Sequence, residues 1–289
     1  MSKFYIITDS TCDLPAELAK EENVIVLPLK VTLNDQEYSN YLDHRELDPK
    51  FFYSELKNGK VATTAQINPD EYLNTLTPIL DDKNDVLILA FSSELSGTYN
   101  SARIAVSELK EKYKDQQIEL IDTKSASLGE GFLVYLAIEE RKKGKSILEV
   151  SNYIKDMIPK IAHWFTVDDI GQLIRGGRVS KTAGFIAKIA NIKPILHTSD
   201  EGKLIPKAKV IGRKRAISAL FNEMKKTALP GKQTVFIGHG DDLVSAEKLA
   251  ELVKAEFDVE NLYINMIGPV IGAHTGQGVL ALFFIAENR

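Results

Sequence analysis

Short apolar runs recur along this chain, and each stops abruptly in hydroxyls or carboxylates. Residues 4–7 (Phe-Tyr-Ile-Ile) end at Thr8-Asp9-Ser10-Thr11, residues 86–91 at Ser92-Ser93, and residues 118–121 at Asp122-Thr123. Runs of this length between polar residues predict buried strands. Between them the period changes. Tyr99, Ala102, Val106, Leu109 and Tyr113 fall at three- and four-residue steps, which predicts a helix, and Gly97 allows a tight turn just before it. Asp48-Pro49 and Asn68-Pro69 read as N-cap plus first-turn proline, and Asp13 with Pro15 reads the same way for a helix to about residue 22. Asn34-Asp35 reads as a turn. Residues 61–66 read as a connection, and residues 128–143 as a helix closed by Gly144.

The second half continues the alternation. Ser146 caps a helix, residues 163–167 predict a strand, and residues 173–178 predict a short helix breaking into a glycine turn. Residues 183–190 read as a helix of small residues, and 194–197 with 204–210 as a hairpin about Asp200-Glu201-Gly202. Helices over about 214–226 and 245–256 and strands near 235–237, Leu262 and Val279 follow. The pattern predicts an α/β protein: residues 1–160 as an N-terminal, mainly parallel-sheet domain and residues 161–289 as a second α/β domain. In a parallel sheet the functional groups gather at the carboxyl edge.

The chain has 289 residues, 44% of them hydrophobic, enough for a full core. Cys12 is its one cysteine, which excludes an internal disulfide and a cysteine metal cluster. No apolar signal core follows Met1-Ser2-Lys3, and the run at 279–286 is too short to span a bilayer, so a soluble, cytoplasmic protein is expected. The net charge of −4 gives no reason to expect nucleic acid. Residues 175–215, however, hold eleven Lys or Arg against only Asp200 and Glu201. That segment is either a solvated face or a docking surface for an acidic partner or a phosphate.

Three stretches carry candidate chemistry. The hydroxyls of Ser93 and Ser96 stand at a strand-to-helix corner, where they serve either as helix caps or, with the unpaired first amides, as an anion seat. Thr63-Thr64, expected at a strand end on the same edge, can converge with them. No base adjoins these hydroxyls and no Gly-x-Ser-x-Gly elbow is present, which favours binding over hydrolysis. In the glycine-rich stretch 268–278, His274 can share a proton with an anion or merely satisfy loop carbonyls, and His239 is a competing candidate. Arg175-Gly176-Gly177-Arg178 and Arg213-Lys214-Arg215 suit a phosphate, although neither a Walker A sequence nor Gly-x-Gly-x-x-Gly occurs. Asp9, Asp13 and Asp122 show no ligand spacing, and no metal is expected.

Taken in order, Thr8-Asp9-Ser10-Thr11-Cys12-Asp13-Leu14-Pro15, Ser92-Ser93-Glu94-Leu95-Ser96-Gly97-Thr98-Tyr99, Asp122-Thr123, Gly176-Gly177-Arg178-Val179-Ser180 and His274-Thr275-Gly276 span the chain. The set resembles the DegV family of bacterial fatty-acid-binding proteins. The resemblance implies a two-domain fold with a long-chain fatty acid between the domains and no other cofactor. It also implies a non-catalytic carrier subunit, presenting the acyl carboxylate to a separate ATP-dependent fatty acid kinase for acyl-phosphate formation. Carried over by motif, Thr64, Ser96 and His274 face the carboxylate, with Thr63 or Ser93 as supplementary hydroxyls. Arg178 meets the kinase or the transferred phosphate. The chain departs from the family pattern at Ala65, Ile67 and Asn68, at Gln277 and at Ile211, where a second docking arginine is expected; Arg213 or Arg215 are the substitutes. Two rival readings are a phosphotransferase acting on its own, which the fold's likeness to part of the dihydroxyacetone kinase family suggests, and a regulatory nucleic-acid-binding protein using the basic segment.

Overall fold

A computed structural model describes residues 4–180 and 191–289. The helix expected over 183–190 lies outside the described residues. Seven strands precede residue 160: β1 (Phe4–Asp9), β2 (Ile25–Leu27), β3 (Lys30–Leu33), β4 (Gln36–Ser39), β5 (Ala62–Ala65), β6 (Asp85–Ala90) and β7 (Ile118–Asp122). Six follow: β8 (Ile161–Thr166), β9 (Ile192–Thr198), β10 (Leu204–Ile211), β11 (Gln233–His239), β12 (Val259–Met266) and β13 (Leu280–Ile285). The helices are α1 (Ala16–Glu21), α2 (Pro49–Lys57), α3 (Pro69–Asp81), α4 (Thr98–Lys112), α5 (Leu128–Lys142), α6 (Ile147–Met157), α7 (Ile170–Arg175), α8 (Arg213–Thr227), α9 (Leu243–Glu256) and α10 (Pro269–Thr275).

The fold is mixed α/β. One sheet, ordered β2-β1-β6-β7, is wholly parallel. A second, ordered β10-β9-β8-β13-β11-β12, is antiparallel except where β11 pairs with β12. The third is the small antiparallel set β4-β3-β5, its hairpin turning through Asn34 and Asp35 at φ +52° and +60°. Residues 61–66, expected to be a mere connection, supply β5, because Ala62–Ala65 pair in register with Leu33–Lys30. Thr63 and Thr64 therefore sit inside a strand of this small sheet, not at an end of the parallel one.

Local signals set several boundaries. Asp48 and Asn68 cap α2 and α3 through the Phe51 and Glu71 amides, and Ser146 with Glu149 forms a capping box at α6. Asp13 is a correction. Rather than capping α1, it stands at φ +51° after a 3-10 turn, with its carboxylate turned inward to Ser127 and Gly268.

The two large sheets are joined by α5, which contacts β1 and β6 on one side and β8, β11 and β13 on the other. Every residue from Leu128 to Val134 is buried. Phe132 meets the Phe236 ring at 4.8 Å, and one core cluster runs from Leu87 and Leu89 through α5 to Phe283. So tight an insertion needs a missing side chain at Gly131, where a Cβ would stand 2.5 Å from the Cys12 carbonyl oxygen. The same helix carries Glu130 into the interior, where it accepts from the Thr8 and Thr11 hydroxyls. The Thr11 hydroxyl also approaches Asp9, whose other oxygen takes the Phe91 amide and ties β1 to the end of β6. Burial pushes the carboxyls of Asp9 and Glu130 up from their ordinary values. Among the described residues no helix is long and apolar enough to cross a membrane.

Candidate functional site

Between the sheets lies a cavity of about 930 Å³, open mouth included. Its apolar wall comes from Phe91 and Leu95 after β6, Phe165 on β8, Ala281 and Phe283 on β13, and Ile271 on α10. Thr64, Ser96, Arg178 and His274, the residues marked out by motif, all line it. The glycine-rich stretch is not all loop. Pro269 at its first turn starts α10, which runs to Thr275 and brings His274 to the wall.

His274 Nε2 lies 2.9 Å from Thr64 Oγ1, and its ring rests on the backbone of Gly176, where a Cβ would fall 2.5 Å from Nδ1. Burial, aided by the Arg178 cation, pushes the imidazole down to about 4, so at neutral pH it is uncharged. Ser96 Oγ is 3.0 Å from Thr98 Oγ1 and accepts the Thr98 amide at 3.2 Å, a turn just ahead of α4 rather than its cap, which falls on Gly97, and it faces the cavity. The helix-cap reading of this serine therefore does not hold, since α4 has no side-chain cap. Arg178 donates from Nε to the Leu95 carbonyl (3.1 Å) and from Nη1 to the Gly176 carbonyl (2.6 Å), bridging the serine corner and the glycine turn. Gln66, which the sequence did not single out, also lines the cavity and donates to Ser101 Oγ at 3.0 Å. Its amide lies over Gly97, where a Cβ would force the Gln66 amide to move.

The other candidates stand elsewhere. Strand alternation turns Thr63 away from Thr64 into an adjoining cleft of about 1300 Å³ with Lys60, Asp169, Gln172 and Arg175. Thr64, Arg178 and His274 line both spaces and form the partition between them. Ser93 is not a wall residue: its amide donates to Asp122 and its hydroxyl accepts from Lys124 Nζ at 3.0 Å. Arg213 is engaged within the second sheet's loops, donating to Asp242 at 2.6 Å and Ser245 at 3.0 Å. His239 accepts the Asp242 amide at the end of β11, away from the cavity. Within the basic segment Lys193 pairs with Asp168 and Lys203 with Glu94, while the exposed Arg175 lies 3.5 Å from Asp169. Among the described residues no three His, Cys, Asp or Glu are grouped to hold a metal ion.

Chemically, the wall offers hydroxyl donors, a neutral imidazole and one guanidinium at the border of an apolar space. That combination suits an anionic head on an apolar body.

Comparison with known proteins bears on the family and the fold. The model of the family described as "Uncharacterised protein, DegV family" matches residues 3–287. A DegV domain-containing protein of Clostridium perfringens is 42% identical over 290 residues, covering 100% of this chain and 99% of the relative. Among solved structures, a DegV family protein of Thermus thermophilus, described for its fatty acid binding, superposes with a TM-score of 0.88 at 27% identity, covering 98% of this chain and 99% of its own. DegV of Bacillus subtilis, described as a fatty acid binding protein, superposes at 0.83 with 29% identity, covering 99% and 100%. The match of the family model over nearly all the residues, with the 42% identity across the full length, makes the chain a member of the DegV family.

Proposed function

We propose that this chain is a cytosolic carrier that binds a long-chain fatty acid in the apolar cavity and presents its carboxylate to a separate ATP-dependent kinase. The observation that carries the reading is the partition: Thr64, Arg178 and His274 border the apolar cavity on one side and the open, basic cleft on the other. A carboxylate held there has its alkyl chain buried and its oxygens turned toward the cleft, where a phosphoryl donor can approach. Thr64, Ser96 and His274 hold the head, with Arg178 beside the oxygens that receive the phosphoryl group. Thr63, Lys60 and Arg175 face the incoming partner. Residues 1–160 and 161–289 are then two units whose walls close over the ligand.

The energetics are compatible. About fifteen buried methylenes at roughly 0.8 kcal/mol each supply on the order of 10 kcal/mol of gross driving force, enough for tight binding after association costs. The head is the costly part, because a desolvated carboxylate needs donors, and hydroxyls with a nearby guanidinium supply them. The sequence put no base beside these hydroxyls, but the fold brings the neutral His274 to 2.9 Å from the Thr64 hydroxyl; with no Walker A sequence present, we read that pair as part of the head-group seat and assign phosphoryl transfer to the partner.

The test mixes the oleate-loaded chain with a fatty acid kinase and ATP and traps the acyl phosphate with hydroxylamine. Hydroxamate that forms only when both chains are present supports the carrier role. Formation by this chain alone makes it the phosphotransferase, and none in the complete mixture contradicts kinase coupling.

A further inference from the structure

Asp13 is absent from the cavity wall, yet two of the wall's supports end on its carboxylate. Oδ2 accepts the Ser127 hydroxyl at 2.5 Å and Oδ1 the Gly268 amide at 2.9 Å, while its backbone carbonyl accepts Asn265 Nδ2 at 2.7 Å. Ser127 is a wall residue immediately before α5. Gly268 immediately precedes α10, which carries the wall residues Ile271, His274 and Thr275. One carboxylate, just past the 3-10 turn that follows β1, thus ties the start of α5 to the start of α10.

The position is demanding. The side chain is buried, at 3% exposure, and the backbone is left-handed at φ +51°, a conformation that Gly adopts freely, Asn and Asp at modest cost and other residues rarely. Glycine would relieve that strain but could make neither hydrogen bond. A second hold on the same turn comes from Tyr53, whose hydroxyl donates to the Ile267 carbonyl at 2.8 Å and stands where a Cβ on Gly272 would fall.

We infer that Asp13 is a positioning residue for the carboxylate end of the cavity: by fixing Gly268 and Ser127 it sets where α10 carries His274 relative to Thr64, without touching the ligand itself. The inference rests on the fatty-acid reading only for its affinity readout.

The test uses two variants of the full chain, each checked for folding by circular dichroism. Asp13→Gly removes the carboxylate while suiting the left-handed backbone, so it separates lost hydrogen bonds from added strain. Asp13→Asn keeps an acceptor for the Gly268 amide and offers a donor to the Ser127 hydroxyl. The His274 ring resonances are recorded without ligand, and oleate affinity is measured by calorimetry. Asp13→Gly is expected to shift the ring resonances and raise the Kd about tenfold or more, and Asp13→Asn to restore both, the Kd to within about threefold of wild type. A merely structural role lowers the melting temperature and leaves the His274 signals in place. Wild-type signals in Asp13→Gly, or an Asp13→Asn variant as impaired as Asp13→Gly, overturn the inference. If the wild type takes up no oleate, the fatty-acid reading fails, and the His274 signals still decide this one.

Discussion

Thr64 Oγ1 and His274 Nε2 lie 2.9 Å apart, although 210 positions separate them. Neither residue is placed by its neighbours in sequence alone: Thr64 is set by the register of β5 against β3, and His274 by α10. Truncating either one tests the head-group site. Thr64→Ala and Ser96→Ala each remove one hydroxyl donor, and a hydrogen bond to a charged group contributes about 1.5–3 kcal/mol, so each substitution is expected to weaken oleate binding by about tenfold or more. Calorimetry of the single and double variants checks this; oleate affinity unchanged in the double variant rules out the assigned site.

The imidazole of His274 gives a pH test with a definite sign. Its folded value of about 4 lies below the ordinary 6.5, so the unfolded chain takes up a proton first as pH falls. The stability this group contributes is present above pH 6.5 and is lost as pH drops toward 4. A carboxylate arriving beside the ring opposes both burial and the Arg178 cation, which raises the value. Histidine resonances followed by NMR titration are expected to show His274 titrating about one unit higher with oleate bound, which by linkage raises the affinity for the oleate anion only about twofold between pH 7 and pH 5; an unchanged His274 value contradicts a carboxylate beside the ring.

Glu130 has the opposite sign. Burial raises its folded value above the ordinary carboxylate range, so its stability contribution is full below that range and is lost as pH rises through the folded value. Glu130→Gln keeps the acceptor for Thr8 or Thr11 without an ionisable group. Its melting temperature relative to wild type is expected to climb as the buffer moves from acid to alkaline; a flat difference contradicts the buried-acid description.

Cavity shape can be tested apart from the head group. Ala281 lines the cavity on β13 between Val279 and Phe283, so Ala281→Phe projects a ring into the space assigned to the chain. Oleate binding is expected to fall by about tenfold, while a medium-chain acid loses less, because filled volume excludes the longer ligand first. Equal losses for both chains place the alkyl group elsewhere.

Packing at α5 yields a stability prediction. Gly131→Ala forces a Cβ to 2.5 Å from a backbone oxygen, which has no rotamer to give way. The substitution is expected to cost about 1–3 kcal/mol, read as a lower urea midpoint.

What could be read from the residues in advance was local. Asn68 with Glu71 and Ser146 with Glu149 declare their helices within four positions, and the 194–210 hairpin is declared by alternation around Gly202. Features set by distant contacts were not legible. Asp13 followed by Pro15 reads as a cap, but its carboxylate is claimed by Ser127 and Gly268, more than a hundred positions away. Residues 61–66 look like a loop until β3 pairs with them, and α5 shows no sign of being wedged between sheets. At the site, hydroxyl and histidine motifs pointed to Thr64, Ser96 and His274. Gln66 carried no such mark, because what places it is contact with Gly97 and Ser101, more than thirty positions away in the chain.

On this reading the cavity between the sheets holds a fatty acid. Native mass spectrometry of the chain purified from a bacterial host measures this most directly. The account predicts one bound long-chain fatty acid per chain, released on denaturation and depleted in the Thr64→Ala, Ser96→Ala double variant. A chain found at its bare mass that also gains no adduct when offered oleate would contradict it.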